Sequence, residues 1–372
     1  MKADYPYGFG RLDAFGAILN QVCETALEIP ENHRVSNAPV SYPFLWNTPY
    51  LDWVQWNGAV ANPIGRNVGE VLGVYGHLKL TGTPTTGQFG SSANILNLGQ
   101  LERWLTKLSA PQWPERYLGK IDADKAKQGE ALYAANCVGC HGIRDAERKF
   151  PMTEPNRFGK RFIRIHMVPL QEIGTDELMA KNFATRTAKP GALRPFLHET
   201  LRDAPEVPGT ALLNIATRMV IELKLAEMQP PLDDQQKLEL TGYRDPDPAV
   251  RPPNIRAYKA RPLDGVWATA PYLHNGSVPN LYQLLLPAEQ RVKTFYVGNR
   301  EFDPVNVGFR TAPYQDGFQF HTETADGKPI PGNSNAGHSG GNYTQTKAKD
   351  ASWHDFTEAE RWALVEYIKT LH

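Results

Sequence analysis

The densest chemistry in this chain of 372 residues sits at Cys137-Val-Gly-Cys140-His141. Two thiols at this spacing can add to the two vinyl groups of a haem, and the histidine beside the second thiol falls where its imidazole can ligate the iron. A Cys-x-x-Cys pair has two other chemistries, a zinc half-site and a thioredoxin-like redox couple. Zinc needs a second Cys/His pair, and no Cys follows residue 140. A thioredoxin motif expects a strand before it, whereas Asp122 to Asn136 is rich in Ala, Lys, Glu and Gln and reads as a helix running into the motif. The expected cofactor is therefore haem c, one covalently bound in this chain, with Cys137 and Cys140 forming thioethers and His141 as the proximal iron ligand.

The elements that must position this motif are legible at both ends of a long segment. Class I cytochromes c carry a helix before the attachment site, and a terminal helix crosses it. Thr357-Glu-Ala-Glu360 is a capping box that opens a helix over the last residues, and Gly129 is small enough for a close crossing. The fold expected is mainly α, with a class I cytochrome c-like haem domain over 117–372 that carries long loops and insertions. Residues 1–116, bounded by Pro111 and Pro114, form an N-terminal helical and irregular segment that completes or bridges to a first haem domain. That segment opens with an amphipathic helix bearing Leu12, Phe15, Leu19, Val22 and Cys23, where Cys23 reads as core rather than as a reactive thiol. The aromatic, Pro-broken stretch 38–58 reads as irregular, and a second helix over about 93–108 carries Ile95, Leu98, Leu101, Leu105 and Leu108. Within the insertion, a helix over about 210–226 is expected from Leu212, Leu213, Ala216, Met219, Val220 and Leu223.

Composition narrows the partners. Forty basic residues balance forty acidic ones, which argues against a protein that coats nucleic acid or an anionic membrane. Apolar residues make up 41% and no run approaches the length of a transmembrane helix. The opening residues lack a signal-peptide core, yet bacterial haem c is attached outside the cytoplasmic membrane. A periplasmic or secreted location is expected, with the leader on sequence upstream of these residues.

Residues 265–287, containing Ala270-Pro-Tyr-Leu-His274-Asn-Gly-Ser277, resemble the Ala-Pro-Tyr-x-His-x-Gly-Ser segment of bacterial dihaem cytochrome c peroxidases. Val54-Gln-Trp56-Asn-Gly58 is similar to the Phe-Trp-Asp-Gly segment of the same superfamily. The rubber-oxygenase branch is the nearest in pattern, because Tyr5-Pro-Tyr-Gly-Phe-Gly-Arg-Leu-Asp-Ala-Phe-Gly16 and Phe295-Tyr-Val-Gly-Asn-Arg-Glu-Phe-Asp303 also look like it. The superfamily carries two attachment motifs and this chain one, placed after the Trp-Asn-Gly segment like the superfamily's electron-transfer haem. A second, substrate-facing haem would lie on sequence outside these residues or be absent.

Several roles follow from that resemblance. His338, in Asn333-Ser-Asn-Ala-Gly-His338-Ser-Gly-Gly-Asn342, matches the distal iron ligand of rubber oxygenases, with His274 and Tyr296 as reserve ligands. Met167 or Met179 would instead give a His/Met site of higher potential. Trp56 matches the Trp between the two haems, and Glu70 is a candidate distal carboxylate for proton handling or an ordinary helix-surface residue. Arg261, Trp267 and Tyr272 are candidate second-layer or propionate partners. The function implied is a haem c oxidoreductase acting on peroxide or an apolar substrate through a redox partner. The alternative, supported by the single motif, is a monohaem electron-transfer protein without catalysis of its own. A haem-based sensor is the third reading, and no effector-domain pattern accompanies it.

Overall fold

The computed structural model describes residues 3–74, 76–144, 150–244, 256–348 and 350–372. In chain order the elements that matter here are α1 (Ala14–Asn20), α2 (Pro63–Val74), α3 (Ile95–Leu105), α4 (Ala123–Asn136), α5 (Val138–His141), β1 (His166–Pro169), α6 (Gly209–Ala226), β2 (Ala257–Ala260), β3 (Thr294–Val297), β4 (Phe318–His321) and α7 (Glu358–Lys369).

Helix α4 starts where Asp122 accepts a hydrogen bond from the Lys125 amide at 3.1 Å, and α7 starts with the expected capping box. In that box the Glu360 amide donates to Thr357 Oγ1 at 3.3 Å, and the Thr357 amide donates to Glu360 Oε2 at 2.8 Å. The two helices cross at Gly129. A Cβ at that position would run into the carbonyl group of Ala363 and stand 2.8 Å from the Tyr367 Cβ, so only glycine allows the helix axes this close. Around the crossing lies a core of Tyr133, Trp113, Trp267, Tyr272, Leu281, Leu364, Val365 and Ile368, in which the Tyr133 and Tyr367 rings are 5.2 Å apart.

A second core packs α1, α2, α3 and α6 together. Leu19, Val22, Cys23, Val68 and Leu72 from the N-terminal segment meet Leu212, Ala216 and Val220 of α6. Each fully buried Leu or Val side chain contributes roughly 1.5–3 kcal/mol. This core draws on residues 19–98 and on 188–240, so the long insertion of the haem-bearing segment completes the core of the N-terminal one. Cys23 is fully buried, and burial raises its thiol pKa to about 11. On α3 the outcome is divided: Ile95 is buried, whereas Leu101, Trp104 and the following Leu108 are exposed. The helical spacing there marks a stripe that points largely to solvent.

Strand makes up 13% of the protein beside 39% helix, so the fold is mixed rather than mainly α. Among the described residues every strand pairs with a single partner, as in β1 with β2 and β3 with β4. Such short ladders suit the insertion, where aromatic and β-branched runs such as Thr294-Phe-Tyr-Val297 alternate with Pro and Gly. No helix among the described residues is long and apolar enough to cross a membrane.

Gly129→Ala must force α4 and α7 apart. It should lower unfolding stability by about 1–3 kcal/mol in a denaturant titration, the cost of overpacking a tight contact.

Candidate functional site

The end of α4 delivers the attachment motif directly. The Cys137 amide donates to the Tyr133 carbonyl at 2.8 Å and the His141 amide to the Cys137 carbonyl at 3.0 Å, so the chain turns once more as α5 and brings both cysteines and His141 to one cavity. The preceding element is a helix, not the strand of a thioredoxin site. Burial holds both thiols in their protonated form, raising Cys137 to about 12 and Cys140 in the same direction with help from Glu172. Among the described residues no group of three His, Cys, Asp or Glu side chains is placed to hold a metal ion.

His141 is fixed by its Nδ1, which stands 2.9 Å from the Arg261 carbonyl oxygen. A backbone carbonyl can only accept, so Nδ1 carries the proton and Nε2 keeps its lone pair. His338 faces it. The two ring centres are 6.4 Å apart, with planes inclined at 52°. With iron–imidazole bonds of about 2 Å, one iron would fit between two rings at this separation, held by both. The cavity they bound has a volume of about 300 Å³ and also holds Cys137 and Cys140 in its wall. His338 Nδ1 is buried with no hydrogen-bond partner among the described residues, unlike the satisfied ring of an ordinary core histidine. Burial first, then the neighbouring His141 and Arg291, lower the pKa of His338 to about 3, so the ring is neutral and able to ligate. The residues present thus fit a haem that Cys137 and Cys140 would attach and that His141 and His338 would hold.

His338 is held by its backbone. Its amide donates to the Ile173 carbonyl at 2.8 Å, and its φ of 45° lies in the left-handed region. Gly337 lets the loop approach this closely, because a Cβ there would collide with the backbone of Gly174 and Thr175. The clamp is Arg291, only 2% exposed, whose guanidinium donates to the carbonyls of Asn335 at 2.7 Å, Gly337 at 2.8 Å and His338 at 2.7 Å. No feature of the sequence around Arg291 marks it for this work.

The other candidates divide. His274 lines the cavity, stacked on Tyr258 at 3.9 Å, and burial with Arg11 nearby lowers its pKa to about 3. Trp56 also lines the cavity, 6.4 Å from the His274 ring, with its indole N–H donating to the Ser41 carbonyl at 2.9 Å. Tyr296 belongs to the β3–β4 hairpin, paired with Gln319, and is not in the cavity wall. Met167 is paired with Lys259 across β1 and β2, Met179 is packed in a separate apolar cluster, and neither faces the cavity. Glu70, on α2, is likewise outside it: burial raises its pKa, and its carboxylate accepts from Gln55 Nε2 at 2.5 Å. Arg261 lines the cavity, and Tyr272 does so while donating its hydroxyl to the Val307 carbonyl at 3.2 Å. Trp267 sits in the core with its N–H on the Pro111 carbonyl at 3.0 Å.

A helix that ends in Cys-x-x-Cys-His, crossed by a second helix at a glycine and followed by a cavity with a second histidine, is an arrangement suited to covalent attachment of haem c. The comparisons with known proteins agree. Residues 124–182 match the family described as cytochrome c oxidase, cbb3-type, subunit III, and residues 257–296 match the family described as RoxA-like, cytochrome c-like. Both matches support a cytochrome c family, and domains of that kind bind haem c covalently. It is 37% identical over 379 residues to the uncharacterized protein y4iJ of Sinorhizobium fredii (strain NBRC 101917 / NGR234), covering 98% of this chain and 60% of that protein. It is 28% identical over 347 residues to the uncharacterized protein y4iM of the same strain, covering 88% of this chain and 63% of that protein. The chain therefore spans about three fifths of the length of these relatives.

Replacing both Cys137 and Cys140 with Ser removes both thioether positions. Haem should then no longer migrate with the denatured polypeptide on a haem-stained gel, while each single Ser variant should retain less than the parent.

Proposed function

We propose that this chain carries the electron-transfer haem of an exported haem c oxidoreductase of the dihaem peroxidase and rubber-oxygenase type. The observation that supports this reading is the facing pair His141 and His338 across the cavity. His141 and His338 would both hold the iron of a bound haem, which would then serve electron passage rather than capture of peroxide or oxygen. The haem, when bound, supplies reversible one-electron chemistry.

The chain's own residues set the conditions. The Arg261 carbonyl orients His141, and the Arg291 clamp holds the loop that presents His338. Trp56, at the cavity wall and tied to Ser41, is the relay toward a second redox site, where an indole shortens the gap an electron must cross. Glu70 is one step removed from Trp56 through Gln55, and in this reading it serves proton handling at that second site. Reduction of hydrogen peroxide or oxidation of an apolar substrate would take place there, supplied by a redox partner. Attachment of haem c outside the cytoplasmic membrane supports a periplasmic or secreted location. A second reading, a monohaem electron-transfer protein without catalysis, is favoured by the single Cys-x-x-Cys-His motif in the chain.

His338→Ala should convert the low-spin spectrum to a high-spin or water-ligated one with attachment intact, as read by ultraviolet-visible absorption. A spectrum that stays low-spin would pass the ligand role to His274. The two readings part in the full-length protein. A pyridine haemochrome count of two haems per chain, one of them responsive to cyanide or carbon monoxide, supports the enzyme, and one inert haem supports the simple carrier. In the enzyme, Trp56→Phe should slow electron exchange between the two sites by about tenfold, a barrier increase of about 1.4 kcal/mol, at unchanged haem content in a stopped-flow measurement.

A further inference from the structure

The apolar residues of α3 recur at helical spacing, yet only Ile95 and Leu98 of that set meet the core. Beside them the helix turns Gly99 and Glu102 inward. A Cβ at Gly99 would press on the Leu240 side chain, and Glu102 is ion-paired with Arg66 while accepting from Asn67 Nδ2 at 3.0 Å. The Arg66 and Glu102 side chains are only 8% and 13% exposed. Leu101, Trp104, Leu105 and Leu108 fall at i, i+3, i+4 and i+7 on the adjoining side, where Leu105 is half-buried and the other three are between 42% and 59% exposed. A buried ion pair beside exposed leucines reverses the usual distribution, and a contiguous apolar stripe of this kind marks a site of association.

The apolar surface does not stop at the helix. Tyr50, also half-exposed, donates its hydroxyl to the Thr106 carbonyl at 2.9 Å and so ties the end of α3 to the turn at 48–50. Leu45, exposed as well, joins the same turn, its carbonyl accepting from the Thr48 amide at 3.1 Å. Tyr42 is exposed and, with Phe44, lines the cavity that holds Cys137, Cys140, His141 and His338. Exposed apolar side chains thus lead from α3 back along the chain to the wall of that cavity.

Two observations bear on what covers the stripe. The matches to y4iJ and y4iM take in 98% and 88% of this chain but 60% and 63% of those proteins, so about two fifths of each relative lies outside the match. The stripe is also small. A few half-exposed side chains offer well under the ~800 Å² per partner that a stable pair of separate proteins buries. A second copy would be held weakly there, whereas a domain on the same polypeptide binds at an effective concentration of the order of mM and needs far less area. We propose that the stripe of Leu101, Trp104, Leu105 and Leu108, continued by Tyr50 and Leu45, is the docking face for the part of the full-length protein that lies outside these residues, which answers it with an apolar face of its own. This inference rests on the reading of the chain as one part of a longer oxidoreductase. A domain seated there lies against the Tyr42 and Phe44 wall of the cavity, on a fixed side of the haem site.

The test is hydroxyl-radical footprinting of the full-length holoprotein, read by mass spectrometry. Trp353, an exposed tryptophan on a distant hairpin, is the internal reference. Trp104 should be modified about fivefold less than Trp353, the drop expected when a half-exposed ring enters the core of an interface. In the double variant Leu101→Gln, Trp104→Gln, modification of Leu108 and Tyr50 should rise by about fivefold and the sedimentation coefficient should fall as the two parts separate. Haem content should persist, because both substituted side chains are exposed and neither lines the cavity. Trp104 as reactive as Trp353, protection that appears only as protein concentration is raised, Leu108 still protected in the double variant, or a mature polypeptide no longer than these 372 residues each overturns the proposal. Two haems per chain with Trp104 open would remove the docking face and leave the oxidoreductase reading in place, and one inert haem with Trp104 protected would do the reverse.

Discussion

The contact between Gly129 and the Ala363 carbonyl is the constraint from which the rest of the site is built. It sets the distance between α4 and α7, and α4 ends at Cys137 with no intervening loop. The direction of that helix therefore decides where both thiols and His141 point. A side chain at 129 would alter the crossing, and through it the wall of the cavity. Helix packing here is a positional device as much as a source of stability.

Around this fixed proximal wall the distal wall is made of irregular chain. The loop bearing His338 carries no helix or strand through residues 333–340, and what holds it is a buried guanidinium distributing hydrogen bonds over three consecutive-turn carbonyls, with Gly337 pressed onto Gly174. The arrangement reconciles two needs. Loop backbone can take the left-handed conformation found at His338, and Arg291 supplies the donors that its carbonyls would lack away from water.

How much of this was legible in the sequence depends on the range of the interaction. The attachment motif, the capping box at Thr357 and the small residue at 129 are local signals, and the helices they mark stand where expected. The burial of Cys23 and the apolar face of α6 follow from periodicity in the same way. The leucines of α3 have that periodicity too, yet Leu101 and Leu108 face solvent, because spacing records which residues share a face and not what covers it. The share of strand was hidden in two- to four-residue ladders too short to produce an alternating pattern. Arg291 carries no signal at all, because it acts on carbonyls 44 to 47 positions away.

The burial of Cys23 has a bearing on how the protein matures. Three thiols in one chain allow three different disulfide pairings, two of which would join Cys23 to a cysteine of the Cys137/Cys140 pair. Once the core of α1, α2 and α6 has closed, the odd sulfur lies at zero exposure, with its ionisation suppressed. Exchange chemistry requires an accessible thiolate, so closure of this core withholds the Cys23 sulfur from exchange with Cys137 and Cys140.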